Sequence, residues 1–366
     1  MERSRDMEKT KSKKTRGRGL NKELLIPIII FAAICVFIGV INPLFFTWQT
    51  WQNIFMQVSN VGIIAFGAMF VITSGGLDFT AGEGVSLAGV MAATAFVSSH
   101  MSNTATILTG VGIGALIGAV NGLLITKLGI QPFIATLSMM TVIKGFLLFV
   151  AEGTIIHMDV EGATFTKIGQ GLIEFKGMGR NASGGVQGFP VAFIIYICVA
   201  VVVWLILNRT KFGQATLAMG GNEEAAKLAG VNVNRYRFFV YVFAGIMTGL
   251  GAMITLARVA SIGVTLGGTN LLMDVVAAAV IGGTAVSGGR CNVFGTVLGT
   301  FIIISISSAL VYLNIDSNWR NVVKGAIILV ALVIDSVAVR VSERVAIRRA
   351  AQLREEAKRG APQAQA

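Results

Sequence analysis

Apolar stretches of about 20 residues, the length that crosses a bilayer as an α-helix, recur along nearly the whole chain and constrain its fold more than any other feature. They run over 24–41, 54–74, 83–101, 106–126, 130–151, 188–207, 236–257, 271–286, 293–313 and 320–338. Lipid offers no partner to an exposed backbone amide, so the prediction is all-α: a polytopic membrane protein with about ten transmembrane helices. The eighth stretch is short and flanked by glycine clusters, so nine spans plus a re-entrant segment also fits. Composition points the same way, with 54% apolar and 13% charged residues where a soluble domain carries roughly 25% charged. No linker divides the chain. Residues 1–23 read as a basic cytoplasmic tail, 24–338 as one membrane domain and 339–366 as a charged cytoplasmic C-terminal tail. The longest break between spans is the glycine-rich segment from Glu152 to Gly188, which suits either a solvated connection or a docking surface for an external partner.

A net charge of +12 invites thoughts of nucleic acid, but laying out the spans redirects it. With the N-terminus inside, 23 of the 30 Lys and Arg fall on the inner side: nine in the N-terminal tail, then Lys127, Arg209, Lys211, Lys227, Arg235, Arg237, Arg290 and seven beyond Val339. Lys167, Lys176, Arg180, Arg258 and Arg320 fall outside, and Lys144 and Lys324 within spans. That asymmetry is the positive-inside rule and predicts both termini in the cytoplasm. The run Lys11–Arg18 is then a topology anchor near anionic lipid rather than a nucleic-acid contact. The first span lacks a small-residue cleavage pattern and is expected to stay attached.

Chemistry within the chain is not expected. Cys35, Cys198 and Cys291 sit at unrelated positions and form neither a disulfide framework nor a metal motif. His100 and His157 fall in outer loops without ligand partners nearby, so neither a metal nor a cofactor is predicted. The dipeptide Gly-Lys does not occur, so the chain lacks a phosphate loop for ATP hydrolysis. No Ser-His-Asp or paired-carboxylate constellation is visible.

Glycine makes up 44 of 366 residues, well above the usual 7% or so. Gly110, Gly114, Gly118 and Gly122 recur every four residues and predict a flat ridge along the fourth span, against which another backbone packs closely. Gly245 with Gly249 and Gly295 with Gly299 repeat the spacing. Laying Ser74-Gly75-Gly76 over Ser287-Gly288-Gly289 puts Gly82 on Gly295, a short match that makes an internal repeat worth testing.

A route for a hydroxyl-rich solute needs hydrogen-bonding groups without strong fields. Gln57 and Asn60 share a face of the second span, Asn121 lies near the inner end of the fourth, and Gln131, Thr136 and Ser138 lie in the fifth. Each alone is more often an interhelical hydrogen bond than a solute contact, but together they make a weakly polar route. Asp274 and Lys144 are charged and within spans, each close enough to the outer end to snorkel. The stretch Thr73–Gly82 joins the second and third spans, with Asp78 as its only charge and Thr80 as a candidate helix N-cap. Asp78 suits either a tight membrane-edge turn or a place near the inner gate or the ATPase contact.

Between the sixth and seventh spans, on the basic side, Asn222-Glu223-Glu224-Ala225-Ala226-Lys227-Leu228-Ala229-Gly230 carries its own helix signals. Asn222 suits an N-cap, the two glutamates suit the positive end of the helix dipole, and Gly230 suits a left-handed stop. Helices shorter than about 12 residues are marginal alone in water, so this one is expected to dock on a partner.

Three stretches in this order, Thr73–Gly82, Gly220–Asn234 and Ile281–Gly289, resemble the ribose/xylose/galactose-type sugar ABC permeases, which are themselves similar to branched-chain amino acid permeases. The resemblance spans roughly residues 24 to 338. The family commonly has Ser at position 81 and Val-Gly nearby, where this chain has Ala81 and Gly82-Glu83. The resemblance implies the permease subunit of an ATP-driven importer in a bacterial inner membrane. It implies a second permease subunit, a cytoplasmic ATPase with two nucleotide-binding domains and a periplasmic sugar-binding protein. Asn222, Glu223, Glu224, Ala225, Ala226 and Gly230 match the ATPase-coupling motif, and Gln57, Asn60, Asp78, Asn121, Gln131, Thr136 and Asp274 are the candidates for the translocation pathway. The alternative is an ion-coupled secondary carrier for a small polar solute. A channel or scaffold is a third reading.

Overall fold

The computed structural model of the chain describes residues 20–158, 165–174, 187–264, 266–316 and, beyond these, 319, 321–326, 329–330 and 333. The expected basic tail, save residues 20–23, the expected C-terminal tail over 339–366 and the end of the tenth expected span lie outside the described residues. The main helices are α1 (Leu20–Ile41), α2 (Trp48–Thr73), α3 (Ala81–Ser99), α4 (Asn103–Thr126), α5 (Pro132–Ala151), α6 (Val191–Arg209), α7 (Lys211–Gly221), α8 (Glu223–Leu228), α9 (Val233–Val259), α10 (Gly268–Ile281) and α11 (Val293–Tyr312). The described residues from 319 to 333 are helical as well.

Seven of these, α2, α3, α4, α5, α6, α9 and α11, are long and apolar enough to cross a membrane. The architecture is all-α and polytopic, and the seven helices of that length among the described residues leave the expected count of about ten unconfirmed. α10, the eighth expected span, has 14 residues, about 21 Å of helix against a hydrocarbon core about 30 Å thick. Gly267 and the Gly282-Gly283 pair bound it, so the glycine clusters that flank it in sequence are also what shortens it. α1 begins at Leu20, inside the stretch expected as tail, and its described apolar part is Phe31–Ile41.

Helix ends follow from local chemistry. Asn222, Asn232 and Asn292 each place Oδ1 on the amide three residues on, at 2.9, 3.1 and 3.2 Å, and so start α8, α9 and α11. α2 stops where the Gly76 amide bonds Val71 O at 3.0 Å and the Gly75 amide bonds Ile72 O at 2.9 Å, the left-handed glycine stop that satisfies carbonyls of the last turn. α10 stops the same way, with Thr284 on Ala279 O and Gly283 on Val280 O. The counterpart of Gly75 by helix-ending geometry is therefore Gly283, not the Gly288 with which the sequence overlay pairs it. Gly82 and Gly295 lie against opposite ends of α10, on Gly268 and Gly282.

The glycine ridge of α4 packs on α9. A methyl group built on Gly114 would lie 2.3 Å from Gly245 O, and one on Gly245 would lie 2.2 Å from Gly114 O. Gly118 meets Tyr241 O and Gly249 meets Gly110 O in the same manner. Backbone touches backbone along this crossing, as the four-residue spacing predicts. α2 and α9 are buried over most of their length, whereas α4, α5 and α6 turn large apolar side chains such as Leu116, Phe149 and Val201 outward. Phe66 of α2 stacks on Tyr196 of α6 with ring centroids 5.5 Å apart.

The loops at one end are tied together rather than loose. Strand β1 (Ile156–His157) pairs antiparallel with β4 (Ser261–Ile262), and β2 (Leu172–Ile173) pairs with β3 (Phe189–Pro190). Gln170 Nε2 donates to Arg258 O at 3.0 Å, so the segment after α5 is fastened to the end of α9.

Candidate functional site

The polar residues gather in three places: a short outward helix at one end of the bundle, a knot beside it, and a cavity near the opposite end.

The short helix is α8, and it forms where its sequence predicts, capped by Asn222 and stopped at Gly230 by the amide of Val231 on Ala226 O and of Gly230 on Lys227 O. Its two glutamates play different parts. Glu223 faces inward and pairs with Arg237 of α9 and, at 2.7 Å, with Lys227 one turn on. The Lys227 and Arg237 hydrogen bonds hold its carboxyl below the ordinary value. Glu224 and Ala225 are exposed, Ala226 is buried beneath them, and Leu228 is 90% exposed. The side facing away from the bundle thus carries Glu224, Ala225 and Leu228.

The connection behind α8 is rigid. Gly220, at the end of α7, lies so close to the end of α2 that a methyl group there would meet Thr73 O at 1.7 Å and the Gly289 amide nitrogen at 2.7 Å. The Gly289 amide itself donates to Thr73 O at 2.9 Å. The end of α2, the loop between α10 and α11, and the residues leading into α8 therefore meet at one point.

Asp78 sits nearby in the extended loop between α2 and α3. Its Oδ1 accepts from the Thr80 amide and hydroxyl, and Thr80 Oγ1 in turn accepts from Asn121 Nδ2 of α4 at 3.0 Å. Thr80 occupies the N-cap position of α3 but makes no side-chain cap, because its hydroxyl goes to Asp78. Burial pushes the Asp78 carboxyl up against the two Thr80 hydrogen bonds. Leu77 O, one residue earlier, accepts from Tyr241 Oη of α9 at 3.1 Å and Thr136 Oγ1 of α5 at 3.3 Å. The loop is thereby fixed to three helices at once. Tyr241→Phe deletes one of these bonds and is expected to cost about 1 kcal/mol, a fall of a few degrees in the thermal unfolding midpoint. An unchanged midpoint would contradict the knot's part in holding the helices.

A cavity of about 630 Å³ lies between α2, the start of α10, the end of α11 and the helical residues beyond 320. Asn53, Gln57, Asn270 and Asn321 line it together with Thr50, Ser307, Ser308 and Tyr312. Thr50 Oγ1 and Tyr312 Oη lie 2.6 Å apart and join α2 to α11 at its rim. Lys324 also lines the cavity, and its Nζ donates to Asp274 Oδ2 at 2.8 Å with both side chains largely buried. Many hydrogen-bonding groups with few charges suit a neutral, hydroxyl-rich solute.

The sequence-derived pathway candidates separate accordingly. Gln57 lines the cavity, and Asp274 stands behind its wall. Asn60, expected on the same face as Gln57, is buried, and its Oδ1 has no hydrogen-bond partner among the described residues. Asp78, Asn121 and Thr136 belong to the knot. Gln131, the N-cap position of α5, and Ser138 within it are exposed and are not among the residues lining the cavity. Pattern reading missed Asn53, Asn270, Ser307 and Tyr312 as lining residues. It noticed Lys324 within a span but not its pairing with Asp274, since nothing local connects positions 50 residues apart.

A family model described as "Branched-chain amino acid transport system / permease component" matches residues 50–332. The ribose import permease protein RbsC of Bacillus subtilis (strain 168) is 36% identical over 309 residues, covering 84% of this chain and 91% of that protein. RbsC of Escherichia coli (strain K12) is 32% identical over 322 residues, 88% of this chain and 95% of its own length. The galactose/methyl galactoside import permease protein MglC of Haemophilus influenzae (strain ATCC 51907 / DSM 11121 / KW20 / Rd) is 34% identical, covering 86% of this chain and 95% of its own. No solved structure shows a significant match. The family match runs through the core of the bundle and the relatives align over nearly their whole length, so the chain belongs to the branched-chain amino acid transport system / permease component family of membrane permeases.

Proposed function

We propose that this chain is the membrane-spanning permease subunit of an ATP-driven ABC importer for a monosaccharide or related sugar. The observation that carries the reading is its alignment, over 84–88% of its length, with permeases named for ribose and galactose import. The outward face of α8 and the amide- and hydroxyl-lined cavity at the other end support it. In this reading the chain is non-catalytic, and a cytoplasmic ATPase with two nucleotide-binding domains hydrolyses ATP. A periplasmic binding protein delivers the sugar, and a second permease subunit, identical or sister, completes the pathway.

The distribution of Lys and Arg supports an inner-membrane orientation with both termini and α8 in the cytoplasm. Ten membrane segments result if α1, α10 and the helix beyond 319 join the seven longer ones, with α10 and the glycine loop after it forming a short or re-entrant passage. Similar helix stops at Gly75 and Gly283 are what an internal repeat would leave.

Glu224, Ala225 and Leu228 sit in a cleft of the ATPase, with Asn222, Ala226 and Gly230 shaping the helix that presents them. Closure of the ATPase on ATP moves α8, and the Gly220–Thr73–Gly289 contact passes that displacement to α2 and to the loop between α10 and α11. α2 lines the cavity at its far end, as do α10 and α11, the two helices that this loop joins, so one displacement exchanges access from one side to the other. Tightly packed pairs such as α4 and α9 move as units.

The test is uptake of radiolabelled ribose and galactose into proteoliposomes holding this chain, its ATPase and the binding protein. Uptake that requires ATP and withstands an ionophore supports the importer. Uptake that collapses with the ionophore while ATP is maintained would instead indicate an ion-coupled carrier.

A further inference from the structure

Among the described residues that line the cavity, Lys324 alone is ionic; the others offer amides, hydroxyls and the apolar side chain of Val311. Lys324 is not free, because Asp274 of α10 holds its ammonium at 2.8 Å, and Asp274 is itself absent from the lining. Side-chain exposure is 17% for Lys324 and 14% for Asp274, so bulk water screens the pair little.

A lone ammonium on the wall of a weakly hydrated cavity sets up a field felt by any ion entering it. It would favour acidic solutes such as aldonates and sugar phosphates over the parent sugars. With the carboxylate behind it, the ammonium keeps donors for a solute hydroxyl while the pair carries no net charge. Removing one partner of such a pair leaves an uncompensated charge, whereas removing both does not.

We propose that Asp274 is a specificity-determining positioning residue, which by neutralising Lys324 makes the cavity indifferent to charge and so suited to neutral hydroxyl-rich solutes over their acids. The proposal rests on the cavity being the solute route, but its test reads the cavity's field directly and does not depend on transport.

Cys35, Cys198 and Cys291 are replaced by alanine, and Gln57→Cys places a single thiol in the cavity of the full chain in membranes. The rates at which this introduced thiol reacts with the anionic sulfonatoethyl and the cationic trimethylammonioethyl methanethiosulfonate are measured, each normalised to the neutral methyl reagent. With Asp274 and Lys324 intact the normalised rates are expected to be similar. Asp274→Asn shifts their ratio toward the anionic reagent by roughly tenfold, the effect of one uncompensated charge in a medium of intermediate dielectric. Lys324→Met shifts it toward the cationic reagent by a comparable factor, and the double variant restores it. A change that merely loosens the helices accelerates all three reagents together and leaves the ratio alone. If neither single variant moves the ratio, or the double variant keeps the shift, the proposal is overturned. Should Asp274→Asn not accumulate in membranes, Lys324→Met and the double variant decide alone. Absent ribose and galactose uptake, with these ratios as expected, counts against the importer and not against the charge balance.

Discussion

Gly114→Val is expected to cost about 3 kcal/mol or more and to lower the thermal unfolding midpoint by roughly 10 °C, whereas Gly112→Val, two residues away on the same helix, leaves it nearly unchanged. The added Cβ at position 114 lies 2.3 Å from Gly245 O and 2.9 Å from Gly249 Cα, both backbone atoms that no side-chain rotation moves aside. α4 and α9 must therefore separate, and the contacts on either side of the crossing loosen with them. Nothing lies within 4 Å of a Cβ built on Gly112. Propensity and bulk are identical in the two variants, so the difference isolates the close approach. Thermal unfolding of the purified proteins in one detergent reads it, and equal losses at the two positions would contradict the glycine crossing.

The second large effect is functional. Glu224→Lys combined with Leu228→Asp is expected to reduce ATP-dependent sugar uptake at least about tenfold, the scale of losing one or two good interface contacts. Both side chains point away from the bundle, so the unfolding midpoint should shift by no more than a degree or two. Glu223 is the instructive neighbour. It carries the same charge one residue earlier, yet it braces α8 on Arg237 of α9 while pairing with Lys227 within the helix, so its loss acts through the placement of the helix. Full uptake by the Glu224→Lys, Leu228→Asp protein would remove α8 from the coupling route.

Much of this was legible in the residues. Spacing alone marks the α4 ridge, because only glycine every fourth position leaves a helix face flat enough for backbone contact. α8 is announced by its caps, which act within a few residues of themselves. The span count was less readable: length and apolarity identify α2 or α9, but α10 is a 14-residue helix whose ends are set by close packing of Gly267-Gly268 and Gly282 on other chain segments. Thr80 shows the same limit on a small scale, since Asp78 and Asn121 claim the hydroxyl that local rules assign to capping. The cavity was least legible. Its walls come from α2, α10, α11 and the helix beyond 319, and periodicity within one helix cannot say which polar residues of four helices converge. Gln57 was found because amides are rare in spans, while Asn270 falls just before the apolar stretch 271–286 and Ser307 is one small hydroxyl among several in its span.

The most direct measurement is to tag this chain, solubilise native membranes mildly and identify the proteins that copurify with it by mass spectrometry. The account predicts recovery of an ATPase with two nucleotide-binding domains. The same protein should be lost when Glu224→Lys and Leu228→Asp are introduced. Recovery of the chain alone, from membranes shown to contain the ATPase and in a detergent shown to preserve such complexes, would contradict it.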